Sequence, residues 1–247
     1  MEFTRLTEVR SRDGHMVPAY LLQPASPLAG VAVAHGYGGN KEHMLGLAAR
    51  LAEQNLAACV FDTRGHGEHP APLGPAMLED LEAILTFLRR FGRVAAVGHS
   101  LGGRLALHSS ADVVAAISPA LPQRPSEEGR AMLIHFGGTT VRAEGPGEIL
   151  DLLRQMPPAA AALRPTLLIH AEADIPSLIE GVRAAAKEMP DAVIQVISRH
   201  QHQPAALPAS LLAYLPRWFN HIDLKANSEL YVRVPAWLAG QLVPRPG

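Results

Sequence analysis

The stretch Val94-Ala95-Ala96-Val97-Gly98-His99-Ser100-Leu101-Gly102-Gly103-Arg104-Leu105-Ala106-Leu107-His108 carries two periodicities and a turn between them. Val94–Val97 is a short apolar run that suits a buried strand, and Leu101–Ser109 suits a helix. Gly98-His99-Ser100-Leu101-Gly102 joins them in the pattern G-x-S-x-G. A serine on so sharp a strand-to-helix turn needs a strained backbone, and a side chain at either flanking glycine would collide with neighbouring elements. The turn presents the Ser100 hydroxyl at a helix N-terminus, where free N–H groups and the dipole favour an oxyanion. The simpler alternative, a glycine-rich turn with a serine N-cap, uses the same residues without chemistry.

Outward from this turn the same alternation repeats. Gly30–His35, Ala57–Asp62, Val113–Ile117, Thr166–Ala171 and Val193–Ser198 are short apolar runs that read as strands. Glu42–Gln54, Ala76–Phe91, Leu178–Lys187 and Ala205–Phe219 read as helices, the last as the final helix. Leu78, Leu81, Leu85 and Leu88 recur at spacings of three and four. Glu8–Arg10 and His15–Leu22 are expected as an opening hairpin turned at Asp13-Gly14. Apolar strands alternating with helices predict an α/β fold, a mostly parallel central sheet with helices on both faces. In such sheets chemistry sits at the carboxyl ends of the strands.

Composition bounds the alternatives. The chain has 247 residues, 48% hydrophobic and 18% charged, enough for a sizeable core and too apolar for a disordered chain. The formal charge of −1 and 5% aromatic content argue against a general nucleic-acid surface. The one cysteine, Cys59, lies in an apolar run and reads as a buried hydrophobe, which excludes an internal disulfide or a Cys-rich zinc site. The first fifteen residues have no apolar core and do not read as a signal peptide. The segment from Gly14 to Asn40 lacks formal charge, but its prolines, glycines and polar residues prevent a membrane span. The expectation is a soluble cytoplasmic protein with no cofactor.

The strand ends supply candidate groups. His35-Gly36-Tyr37-Gly38-Gly39 can bring a backbone amide close to a ligand. Asp62, Arg64 and His66 are best read as a polar turn tying a loop to its neighbours. Glu172 and Asp174 compete as a carboxylate able to orient an imidazole, and His200 or His202 could serve as a general base. A serine, an acid and a histidine at three strand ends, in that order, is an arrangement suited to acyl transfer. His200-x-His202 would place two imidazoles on one strand face, but no third metal ligand is evident nearby.

The motifs HGYGG at 35–39, FDTRGHG at 61–67, GHSLGG at 98–103, PTLLIHAEAD at 165–174 and the histidine region at 197–202 resemble, in order, those of the α/β-hydrolase superfamily, in its lipase, esterase and serine-aminopeptidase-like branch. The resemblance spans roughly residues 15–220. It implies Ser100 as nucleophile, Asp174 as acid and His202 as base, with the amides of Tyr37 and Leu101 as the oxyanion hole. His202 also has the longer loop after Ile197 with which to reach Ser100. The implied activity is a carboxylic-ester hydrolase working through an acyl-enzyme, with thioesters and peptides as related substrates. A non-catalytic ligand-binding protein on the same fold is the alternative. The implied domain covers 1–220, with a cap segment at about 118–165 that is short and proline-rich, so a bulky helical lid is not expected. Met132–Phe136 and Ile149–Met156 are its expected apolar walls. Residues 221–247 read as a C-terminal extension, with a strand at Leu230–Val234 and a short helix at Pro235–Leu242, that folds back or reaches a partner subunit in a homodimer.

Overall fold

The computed structural model describes residues 1–121, 125–145, 147–158, 164–189, 191–198, 221, 224 and 227–243. Among them, eight strands form one sheet: β1 (Glu2–Leu6), β2 (Ala19–Gln23), β3 (Ala29–Ala34), β4 (Leu56–Phe61), β5 (Val94–His99), β6 (Val113–Ile117), β7 (Thr166–Ala171) and β8 (Ala192–Ile197). Their order is β1-β2-β4-β3-β5-β6-β7-β8. Strand β2 is antiparallel to β1 and β4, and the ladder from β4 through β8 is parallel. The sheet is the mostly parallel one that the strand–helix alternation predicts.

Side-chain alternation sorts the strands onto two cores. Ala32, Ala34, Cys59, Phe61, Ala96 and Leu168 face one side, against α2 (Met77–Leu88), α3 (Leu101–His108), α5 (Glu148–Gln155) and α6 (Pro176–Glu188). Val31, Val33, Ala58, Val60, Val97 and Ile169 face the other, against α1 (Leu45–Ala52) and α7 (Ser228–Leu242). Adjacent residues of one strand thus enter opposite cores, which is why these strands are apolar throughout rather than alternating with polar residues. Cys59 is fully buried, and burial pushes its thiol pKa up.

Three expectations need correction. The expected hairpin keeps its turn, with Gly14 at φ 87°, but its regular ladder runs between Glu2–Leu6 and Ala19–Gln23, leaving only the Arg10–Met16 bridge near the turn. Residues 228–242 are neither strand nor extension but one helix. Asn227 caps it by accepting from the Glu229 N–H at 2.8 Å, and Leu230, Val234, Leu238 and Leu242, all buried, form a stripe at a spacing of four. The stripe packs into the same core as α1, so α7 belongs to the domain's own sheet layer. The segment at about 118–165 holds two helices, α4 (Glu127–Thr139) and α5. Its described prolines, Pro119, Pro125, Pro157, Pro158 and Pro165, fall outside those helices and frame them. The helix expected at Ala205–Phe219 lies outside the described residues.

The turn after β4 is a polar tie, as its residues suggested. Asp62, fully buried, accepts from Lys41 N and Nζ, each at 2.8 Å, and from Glu68 N at 2.9 Å. Arg64 pairs with Asp80 at 2.7 Å and with Asp13 at 2.8 Å. Burial alone would raise the Asp80 pKa, but hydrogen bonds from His69, Arg64 and Ser11 outweigh it and hold the carboxylate below its ordinary value of 3.8. A carboxylate depressed on folding stabilises the native state above its unfolded pKa and loses that contribution as pH falls through the folded one. Melting temperature should therefore drop on acidification below about pH 4, in part through Asp80. Asp80→Asn should flatten that slope and cost about 3 kcal/mol at pH 7, because it leaves the buried Arg64 with only the exposed Asp13 as counter-charge. Thermal melts between pH 2 and 7 measure both effects; equal slopes in the two proteins would refute the assignment.

Candidate active site

Ser100 occupies the turn between β5 and α3 with φ 54° and ψ −113°, a region that non-glycine residues rarely enter. Surrounding bonds hold it there. Its N–H donates to Ile117 O at 2.9 Å, and its carbonyl accepts from Arg104 N and Ala120 N, each at 3.0 Å. The flanking glycines are sterically required. A Cβ on Gly98 would lie 2.1 Å from the Gly102 carbonyl, and one on Gly102 would lie 2.6 Å from the carbonyl oxygens of Ala34 and His35. Leu101 is the first residue of α3, so its N–H has no acceptor within the helix.

Strand β3 lies between β4 and β5, and the loops leaving β3 and β5 meet at their carboxyl ends, the topological switch point of the sheet. The loop 35–39 presses its backbone onto the serine: a Cβ on Gly36 would lie 3.2 Å from Ser100 Cβ and 2.9 Å from His99 Nδ1. Tyr37 follows Gly36, so its amide stands on the same loop beside the cavity. The Tyr37 ring packs edge-on against His66, with centroids 5.4 Å apart, and burial pushes the phenol pKa up to about 12. Among the described residues its hydroxyl is buried without a partner. Tyr37→Phe should therefore be neutral or stabilising, within about 1 kcal/mol by denaturant titration, since it removes only an unpaired polar group. A loss well beyond that would show that the hydroxyl is bonded. Burial also pushes His66 down to about 3, so this imidazole is neutral at pH 7.

Asp174 follows β7 and is buried, whereas Glu172 is exposed. Asp174 Oδ2 accepts from the Ser118 hydroxyl, and Oδ1 accepts from Ile175 N at 2.7 Å. The same Oδ1 accepts from His221 Nδ1 at 3.0 Å. Burial would raise the Asp174 pKa, but the facing His221 imidazole and the hydrogen bonds from His221, Ser118 and Ile175 outweigh it and keep the group below the ordinary carboxylate range. With Nδ1–H given to Asp174, neutral His221 has an unprotonated Nε2. Among the described residues that atom is buried without a hydrogen-bond partner. His99, next to the serine in sequence, donates from Nε2 to the His221 carbonyl at 2.9 Å, and the two rings lie 4.7 Å apart.

His221 and Ser100 line one cavity of about 80 Å³. His35–Gly39 and His99 supply its polar side, and Met44, Met132 and Phe136 its apolar side. Phe136 of α4 packs over Gly38, where a Cβ would lie 2.6 Å from the ring. The structure thus brings together four of the five expected residues, Ser100, Asp174, Tyr37 and Leu101. The fifth, His202, lies outside the described residues, as does His200. The imidazole beside Asp174 is His221, which reading the sequence had consigned to an extension. The usable signal was Asn227-Ser228-Glu229 followed by the spacing-of-four stripe, which marks a helix start and makes His221 the histidine ahead of the last helix.

A family model described as the alpha/beta hydrolase family matches residues 31–244. The chain belongs to the alpha/beta hydrolase family. Among solved structures it is similar to a hyperthermophilic esterase from the archeon Pyrobaculum calidifontis, with a TM-score of 0.69 and 20% identity over 98% of this chain and 87% of that one. It is also similar to a Pyrococcus furiosus esterase, with a TM-score of 0.68 and 17% identity over 98% of this chain and 92% of that one. At these identities the likeness is one of fold. An abhydrolase domain-containing protein of Dictyostelium discoideum is 37% identical over 90 residues, 33% of this chain and 9% of that protein. The Salmonella typhimurium protein YfhR is 30% identical over 96 residues, 36% of this chain and 33% of that protein. The matched stretches are thus well under two thirds of those relatives' lengths. Among the described residues no helix is long and apolar enough to cross a membrane, and no group of three or more His, Cys, Asp or Glu side chains could hold a metal ion.

Proposed function

We propose that this alpha/beta hydrolase is a serine esterase that cleaves small carboxylic esters through an acyl-enzyme, with Ser100, His221 and Asp174 as its triad. One observation carries the reading: His221 gives Nδ1–H to Asp174 at 3.0 Å and lines one cavity together with Ser100. Ser100 Oγ attacks the acyl carbon as His221 Nε2 takes its proton. The proton passes to the departing alcohol, and the same nitrogen then activates the water that releases the acid. Asp174, ionised and buried, fixes the imidazole tautomer and stabilises its charged form. The amides of Tyr37 and Leu101 receive the oxyanion, each donor worth roughly 3 kcal/mol of barrier. We give His221 the role expected of His202 because it is the imidazole that bonds to Asp174 among the described residues.

The likeness to structural neighbours that are esterases supports the choice of ester over amide. The small cavity beneath Met132 and Phe136 favours short acyl groups. A fluorophosphonate probe should label Ser100, and p-nitrophenyl acetate or butyrate should be hydrolysed with higher kcat/KM than decanoate. No labelling and no ester turnover by the folded protein would overturn the proposal.

A further inference from the structure

Behind the catalytic cavity lies a second, smaller one of about 30 Å³. It is almost wholly apolar, bounded by Pro125, Gly129 and Leu133 on the α4 side, Leu153 of α5, and Ile175 and Leu178 at α6. Two links tie it to the nucleophile. Ala120, on its wall, donates its N–H to the Ser100 carbonyl at 3.0 Å. Arg104, one helical turn after Ser100 and buried, donates to Ala120 O at 2.9 Å and to Leu153 O at 3.0 Å, bracing two of the cavity's walls against the nucleophile's helix. One side chain, Met132, lines both this cavity and the one holding Ser100 and His221.

We infer that Met132 is a specificity-determining residue: it partitions the acyl side of the site and confines the enzyme to short acyl groups by closing off a small apolar cavity that would take the end of a longer straight-chain acyl group. This rests on the esterase reading above. Methionine suits a partition, since its unbranched thioether side chain fills irregular gaps between packed elements. Truncating it joins the two cavities without touching a polar group of the site. The apolar lining then gains buried methylenes from longer chains.

The test compares kcat/KM for p-nitrophenyl acetate, butyrate, hexanoate and octanoate in the wild type, Met132→Ala, Met132→Val and the double variant Met132→Ala/Leu178→Phe. In Met132→Ala the octanoate-to-acetate ratio should rise about tenfold or more, with a smaller rise in Met132→Val. Leu178→Phe, filling the far wall of the second cavity, should bring the ratio back toward the wild type. Met132→Val is the milder change and keeps the test open if the alanine variant does not fold. An unchanged ratio in variants that still turn over acetate would overturn the inference and leave the esterase reading standing. So would a raised ratio that Leu178→Phe does not reverse. A wild type that neither labels at Ser100 nor cleaves any of these esters would overturn the esterase reading, and the inference with it.

Discussion

Ser100→Ala is expected to lower kcat/KM on a short ester by at least about 10⁴-fold while leaving the melting temperature unchanged or raised. The activity loss follows from removing the attacking oxygen. The stability expectation follows from the backbone: Ser100 sits at φ 54°, an unfavourable setting that alanine shares, so the strain is carried over. The bonds holding that setting, from Ser100 N to Ile117 O and from Arg104 N and Ala120 N to Ser100 O, are all main-chain and survive the substitution. Intact-mass spectrometry after fluorophosphonate treatment gives a second readout. The wild type should gain one adduct and Ser100→Ala none. A folded Ser100→Ala protein with near-normal turnover would remove the serine mechanism.

The second large effect separates two histidines. His221→Ala should lose activity on a scale comparable to Ser100→Ala, about 10⁴-fold or more, and combining the two should add little, because residues acting as one unit are not additive. His202→Ala should keep most of its activity. Asp174→Asn should also be severe, about 10⁴-fold, because the amide can donate to Nδ1 and so favour the tautomer whose Nε2 carries the proton. The contrast between His221→Ala and His202→Ala, measured by steady-state kinetics on one ester, decides the base. An inactive His202→Ala beside an active His221→Ala would return the role to His202 and leave Ser100 and Asp174 in place.

Much of the site was legible before any coordinates, for local reasons. The requirement for glycine at 98 and 102 comes from a turn whose two arms nearly touch, and the pattern G-x-S-x-G records it directly. Local pattern left Glu172 and Asp174 both open after β7, and the family resemblance selected Asp174. The polar ties of Asp62 and Arg64 were anticipated as a polar turn that links its loop to neighbouring elements. The base was not legible in the same way. The stretch after Ile197 offers two histidines, and the apolar segment at 205–219 reads as a closing helix, so those histidines drew the reading. Reading Pro235 as a boundary then broke the stripe Leu230, Val234, Leu238 and Leu242 into two short pieces. A proline inside a helix is costly in isolation. Here four buried side chains on the sheet outweigh it. The cap was misjudged by the opposite error: counting prolines without asking whether they interrupted the segment or framed its helices.

By itself, the sequence determined the layered α/β architecture, the parallel core of the sheet, the strained serine turn and the loop carrying the buried carboxylate, because each depends on periodicity or sterics within a few neighbouring residues. Only the tertiary structure decided which imidazole Asp174 holds, that α7 closes the sheet's second face, and that Met132 stands between two cavities. Those facts depend on residues 47 positions apart in the Asp174–His221 pair and on helices meeting across the sheet, where the free energy of burial, not local preference, selects the partner.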